Sequence, residues 1–208
     1  MTRYYLNDKE IETPPVFTSF DQMLQAVEGR YLAPDSVIRE IHLDGETLTP
    51  DTGADGGWAS IRMEDWEKVE FFTGTLSGIA LESIAGAQGY LDKLAEAVPA
   101  LAVKFQDAPA PEDFASLSSL CEGFLFLNML LGKLATGYGI DFDRVTVRGA
   151  SVKENLMKFV GVTKQLIDAQ EHRDYILIAD TLEYEILPFI PMWKEIFTAI
   201  RGLVGPAQ

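Results

Sequence analysis

The sequence predicts an α+β protein whose two structural classes are segregated along the chain. Three observations carry this. Before Gly74 the apolar residues fall in short extended runs, separated by turn formers, around one short amphipathic segment. After Gly74 they recur at three- and four-residue intervals over long stretches. Between the two, Lys68-Val69-Glu70-Phe71-Phe72 passes into the first long helical pattern with no Pro/Gly/Ser linker. The expected organisation is a domain over residues 1–73 and a second over residues 74–205, joined rigidly.

In the first part, Arg3-Tyr4-Tyr5-Leu6 and the segment around Ile11 flank Asn7-Asp8-Lys9, a hairpin signal. Pro14-Pro15 stops pairing and starts a connection. Ser19 is placed to cap a helix reaching Glu28, with Phe20, Leu24 and Val27 on one face and Gly29 as its stop. The run Val37 to Leu43 predicts a strand, and Asp44-Gly45 a tight turn into Glu46-Thr47-Leu48. Residues 49–57 are rich in turn formers and have almost nothing to bury. Lys68 to Phe72 closes the unit as a last strand.

This order of elements, with the FDQMLQAVEG helix and the HLDGETL turn after a long strand, resembles the β-grasp of ubiquitin-like domains. The resemblance covers about residues 1 to 73. It implies a small β-grasp-like recognition domain fused to the helical remainder of the chain. Ubiquitin-like modifiers end in a free Gly-Gly tail. Here Gly56-Gly57 lies inside a loop, so a conjugated modifier is not the expectation.

Beyond Gly74, Ala80, Ile84, Ala87, Leu91, Leu94, Val98, Leu101 and Phe105 form one helical seam, with Pro99 as a candidate kink. Ala108-Pro109-Ala110 breaks it. Pro111, Glu112 and Asp113 suit the first turn of a second helix, acids lying near the positive end of its dipole. That helix runs to about Ala135. Its stripe is Phe114, Leu117, Leu120, Phe124, Leu127, Leu131 and Leu134, widened by Cys121, Leu125, Met129 and Leu130. A helix so apolar is central in its bundle or lies at an interface.

Gly137-Tyr138-Gly139 ends the second helix, and Ile140 to Val147 reads as an extended connection. A third helix starts near Ser151, with Val152, Leu156, Phe159, Val160, Leu166 and Ile167 as its apolar face. A last one carries Tyr175, Ile178, Leu182, Ile186, Phe189, Trp193, Ile196, Ile200 and Leu203 in phase across Pro188 and Pro191. It is expected to be kinked or to consist of two collinear parts. Four helices with short connections predict an all-α, up-down four-helix bundle. The stretch DYILIADTLEYEILPFIPMWKEI also resembles helical regions of uncharacterised bacterial proteins, to which no activity attaches.

Composition narrows the function. The net charge is −15, from 32 acidic and 17 basic residues. Phosphate binding needs a basic surface, so nucleic acid is disfavoured, and an anionic membrane equally. The charge suits solubility or a basic partner. The single cysteine, Cys121, rules out an internal disulfide and sits in an apolar run where a buried thiol is inert. The N-terminal residues lack the apolar core of a signal peptide, and the cytoplasm is the expected compartment.

Catalytic signatures are absent: there is no GxSxG, no GxxxxGK[ST], no GxGxxG, and no Cys/His spacing for a metal. No catalytic residue, cofactor or metal is therefore expected. The best polar cluster is Asp180, Glu183 and Tyr184, which share a helix face, with Trp193 as a further aromatic anchor. A solvated face, or bonds to a neighbouring helix, is the plainer reading of these acids. A di-metal site would need Glu-x-x-His pairs, which the chain lacks. Asn128 interrupts the most apolar helix and suits a register-setting role or a ligand contact. Trp58 and Trp66 flank Ile61 and Met63, as a recognition patch or a satellite core. His42 belongs on an exposed strand face, and His172 at a helix C-terminus.

Together these predict a non-enzymatic interaction protein. It is an adaptor or a chaperone-like binder of a protein or amphipathic-helix partner, one that could be basic. Two alternatives stand beside it: an enzyme or ligand sensor with a small-molecule pocket near Asp180, Glu183 and Tyr184, and a structural homo-oligomer, such as a homodimer, built on the apolar second helix.

Overall fold

The computed structural model describes residues 2–12, 17, 19–48 and 66–204. Trp58, Ile61, Met63 and Pro14-Pro15, weighed above, lie outside the described residues. The architecture is α+β, and the chain divides into two compact units, Met1–Ile79 and Ala80–Gln208.

The first unit is a mixed sheet with one helix. Its strands are β1 (Arg3–Leu6), β2 (Lys9–Ile11), β3 (Ser36–Leu43), β4 (Glu46–Thr47) and β5 (Lys68–Thr75), in the order β2-β1-β5-β3-β4. β1 and β5 pair in parallel, and the other neighbours are antiparallel. Helix α1 (Phe20–Tyr31) buries Phe20, Met23 and Val27 with the sheet residues Tyr4, Ile41, Leu43, Val69 and Phe71. Both short hairpins turn on left-handed residues, Asn7-Asp8 and Asp44-Gly45. Two-residue turns of this kind match the twist of the strands they join. Asp44 also clamps the start of β5, its carboxylate accepting the Glu67 and Lys68 amides at 3.1 and 2.7 Å. Helix α1 passes through Gly29 and ends two residues later, where Pro34 forbids continuation.

The second unit surrounds one core with long helices. Helix α2 (Leu76–Asp107) follows β5 directly, and Pro99 lies inside it without ending it. Helix α3 (Pro111–Tyr138) opens with a proline and two acids, and closes on left-handed Gly139. The connection from α3 to the next helix is not simply extended. It contains a two-residue hairpin, β6 (Thr146–Val147) and β7 (Ala150–Ser151), turning on Arg148-Gly149 with φ of 53° and 79°. Helix α4 (Val152–Glu171) starts with a reciprocal cap between Ser151 and Glu154.

The final helix is one continuous rod of three parts: α5 (Tyr175–Asp180), a π-helical segment (Thr181–Ile186) and α6 (Leu187–Arg201). The widening has a local cause. Pro188 lacks an amide proton and its ring crowds the carbonyl one turn back, so the ladder relaxes to a Leu187-to-Leu182 bond. Ile178, Leu182, Ile186, Ile190, Trp193, Phe197 and Ile200 stay buried through it. Aromatic contacts tie the helices together. Phe124 of α3 meets Phe159 of α4 at 4.7 Å between ring centroids, and Trp193 of α6 touches both.

Candidate functional site

The buried face of α2 departs from the simple seam at one place. Ala102 is buried and Leu101 is only half-buried. Leu101 turns instead into an open groove between α2 and the N-terminal half of α3. The groove holds about 550 Å³ and is lined by Tyr90, Leu94, Leu101 and Leu120, with Lys104 and Asp113 adding charge. Asp113 also accepts the Ala110 amide at 2.8 Å, which fixes its carboxylate at the head of α3. The floor is apolar because each helix contributes residues one turn apart from the margin of its core stripe. Tyr90 forms one wall by lying against Gly123, where a β-carbon would fall on its ring. Burial raises the pKa of the Tyr90 phenol, which stays neutral and able to donate.

The outer side of α3 is the second unusual surface. Leu125, Phe126 and Met129 are 61%, 61% and 55% exposed, on a helix whose inner stripe is closed. The helix is long and apolar enough to cross a membrane, yet only 28% of its most apolar 18-residue stretch is buried. From Phe114 to Tyr138 the only charges are Glu122 and Lys133. On α4, Met157 and Val160 are exposed as well. Cys121 is half-buried, and burial together with the Glu122 charge pushes its thiol pKa up, away from reactivity.

A family model for a domain of unknown function, DUF8042, matches residues 82–196. The chain belongs to the DUF8042 family. No curated protein and no solved structure matches it. The DUF8042 match runs from α2 to α6 and so contains both the groove and the outer face of α3, while the sheet lies before it.

Within the DUF8042 region the polar residues singled out from the sequence do not line that groove. Asp180 and Tyr184 are exposed, and Glu183 is half-buried, accepting a bond from Gln106 of α2 at 3.3 Å. Trp193 is completely buried among Phe124, Phe159 and Phe197, with no hydrogen-bond partner for its indole N–H among the described residues. Asn128 is half-buried on α3. In the sheet unit, Trp66 packs against the core, and Trp58 lies outside the described residues. His172 donates from Nδ1 to the Asp168 carbonyl at the end of α4, and the His42 ring lies against Phe72, tilted by 53°. Among the described residues no three His, Cys, Asp or Glu side chains converge as a metal site requires.

Sequence reasoning overlooked Asn155, which is buried and donates to the Val147 carbonyl at 3.0 Å, pinning the hairpin to α4. Its position one turn before Phe159 on the buried face was the available signal.

Proposed function

We propose that this DUF8042 protein is a non-enzymatic interaction protein, an adaptor or chaperone-like binder that receives an amphipathic helical segment of a protein partner. The observation that carries the reading is the α2–α3 groove: an open apolar trough between two helices, with Lys104 and Asp113 among its lining residues. Such a trough suits a helix that presents apolar residues at i, i+3 and i+4 and keeps its polar side in water. The net charge of −15 favours a partner whose polar side is basic.

The fold reading is finer than α+β. The sheet unit is taken as a ubiquitin-like β-grasp, supported by the β2-β1-β5-β3-β4 order, the parallel β1–β5 pair and the helix between the two hairpins. The second unit is taken as an up-down four-helix bundle, with the α5–α6 rod as its fourth member. The Gln88–Thr198 and Asp92–Lys194 contacts of α2 with α6 support this. A cytoplasmic setting belongs to the same proposal and agrees with a single, free Cys121.

The test is site-directed photo-crosslinking in the native cells. A crosslinker at Ala97, exposed in the groove, captures a discrete partner, and Leu101→Glu reduces the yield at least about fivefold, the scale expected for a charge entering an apolar hot spot. Equal capture from a control crosslinker at Lys164 on α4, or no loss with Leu101→Glu, overturns the reading.

A further inference from the structure

The outer face of α3 has an internal symmetry that the groove does not explain. Glu122, Phe126, Met129 and Lys133 are all exposed. At 3.6 residues per turn they fall within about 60° of one another around the helix, so they form a single stripe. Glu122 and Lys133 make no ion pair with any described residue, and they are the only charges between Phe114 and Tyr138. Their midpoint along the chain lies between Leu127 and Asn128. The midpoint of Phe126 and Met129 is the same, and so is that of Leu125 and Leu130.

We propose that a second copy of the chain docks on this face, with α3 antiparallel to α3 of the partner about a two-fold axis passing between Leu127 and Asn128. An isologous contact demands that one surface complement itself when reversed. Reversal here brings Glu122 to the level of the partner's Lys133, and Lys133 to that of the partner's Glu122. It sets Phe126 beside the partner's Met129 on both sides of the axis. Each charge stands about 8 Å from the axis at 1.5 Å rise per residue, a distance at which helices crossing near 20° remain within side-chain reach. The contact thus encloses four large apolar side chains between two opposite-charge pairs. Toward the ends of the stripe, Ser118 reverses onto Gly137 and Ser119 onto Thr136, all small or polar and exposed, so the backbones meet no bulky obstruction.

The area available agrees with a modest dimer. A stripe from Ala115 to Thr136 is about 33 Å long and one helix diameter, about 10–12 Å, wide. Two such stripes give roughly 700–800 Å² in total, below the ~1,200 Å² of standard-size interfaces, so the contact belongs with weak, transient ones. A reversible, concentration-dependent association is expected, rather than an obligate dimer. A protein partner of other sequence would have no reason to match the placement of Glu122 against Lys133. Lipid would derive nothing from the matched placement of the two opposite charges.

Analytical ultracentrifugation of the full chain from 1 to 100 μM tests the proposal. The wild-type protein dimerises reversibly. Glu122→Lys alone and Lys133→Glu alone each place like charges together twice, and each weakens the dimer at least about tenfold. The double variant E122K/K133E restores it, because the reversed pairs are again opposite in sign. Unchanged circular dichroism melts confirm that these exposed substitutions leave the fold intact. A wild-type monomer at 100 μM overturns the proposal, as does a dimer indifferent to either reversal or one that the double variant fails to restore. A monomer that floats with phosphatidylcholine vesicles also overturns it and assigns the face to lipid. The proposed face shares only the rim of the groove, at Ala115 and Ser119, and crosslinking at Ala97 is unaffected by its failure.

Discussion

Arg148 holds the turn between β6 and β7 against helix α6 by forking onto Glu195, with Nε–Oε2 at 2.9 Å and Nη2–Oε1 at 2.6 Å. The fork has a backbone cost, because Arg148 is left-handed at φ 53° where glycine is the natural occupant. The bidentate geometry offsets the strained turn and ties the α3–α4 connection to the final rod. Arg148→Ala loses the fork and keeps the strain, whereas Arg148→Gly loses the fork and removes the strain. The glycine variant is therefore expected to be the more stable of the two by about 1 kcal/mol in urea titrations. Equal stability would show that the turn is unstrained.

The same contact sets an acid limb. The Arg148 hydrogen bonds, and secondarily its charge, hold the Glu195 carboxyl below the ordinary glutamate range. A folded-state pKa below the unfolded one gives stabilisation that is complete above the unfolded value of about 4.3 and is lost as pH falls through the folded value. Glu195→Gln should therefore lower the melting temperature at pH 6 and make no difference near pH 2. Both groups are open to solvent, so the effect is small and fades at high salt. A difference that persists unchanged at pH 2 would assign it to packing instead.

Gly123 and Tyr90 form a coupled pair in the groove wall. A β-carbon at position 123 would fall on the phenol ring, so Gly123→Ala must push the ring aside. In the wild-type background the substitution is expected to destabilise by about 1–2 kcal/mol, overpacking exceeding the better helix propensity. In a Tyr90→Ala background the obstruction is gone, and the same substitution stabilises by up to about 1 kcal/mol. The sign change in this double-mutant cycle is the measurement. Additive effects would mean that the ring does not rest on the glycine.

The helices and their order were legible because their signals are local and repeated. Seven of the eight residues in the α2 seam are buried as spaced, and all of the α3 stripe from Leu117 to Leu134 is closed. What the sequence could not distinguish was the margin of each stripe. Leu101 and Ala102 are adjacent and both apolar, and the approach of α3 decides which one faces the core. Leu125 and Met129 widen the α3 stripe on paper yet stand exposed, because residues 100° away from a seam are buried only if a neighbouring helix reaches them. Trp193 was open to an anchor role since a helix phase does not reveal how many helices surround it. The β6–β7 hairpin was hidden by Arg148, since a non-glycine left-handed residue is stabilised by a partner 47 positions away.

Trp193 separates size from polarity in the core. Its indole N–H has no partner among the described residues, so no hydrogen bond is lost when it is replaced. Trp193→Phe is expected to cost under about 1.5 kcal/mol, the smaller ring keeping most contacts with Phe124 and Phe159. Trp193→Ala leaves a large cavity and costs about 3–5 kcal/mol. A phenylalanine variant as damaged as the alanine variant would imply that the indole N–H has an acceptor, such as a bound water.

Asn155 offers a test in which pH supplies the control. It is buried at the start of α4, and its amide donates to the Val147 carbonyl. In Asn155→Asp the protonated carboxyl can still donate to that carbonyl, but the carboxylate faces it with like polarity and without water. Both effects raise the folded pKa above the unfolded value of about 3.9. For an acid shifted in this direction the penalty is absent below the unfolded pKa. It grows by about 1.4 kcal/mol per pH unit until the folded pKa is reached. The variant should thus match wild type near pH 3.5 and fall below it by about 2–4 kcal/mol at pH 7, as measured by urea titration at each pH. Asn155→Leu supplies the contrast. It removes the bond without adding a charge, so its deficit is the same at both pH values. A flat profile for the aspartate variant would mean that water reaches position 155 and that the hairpin is not held by a buried amide.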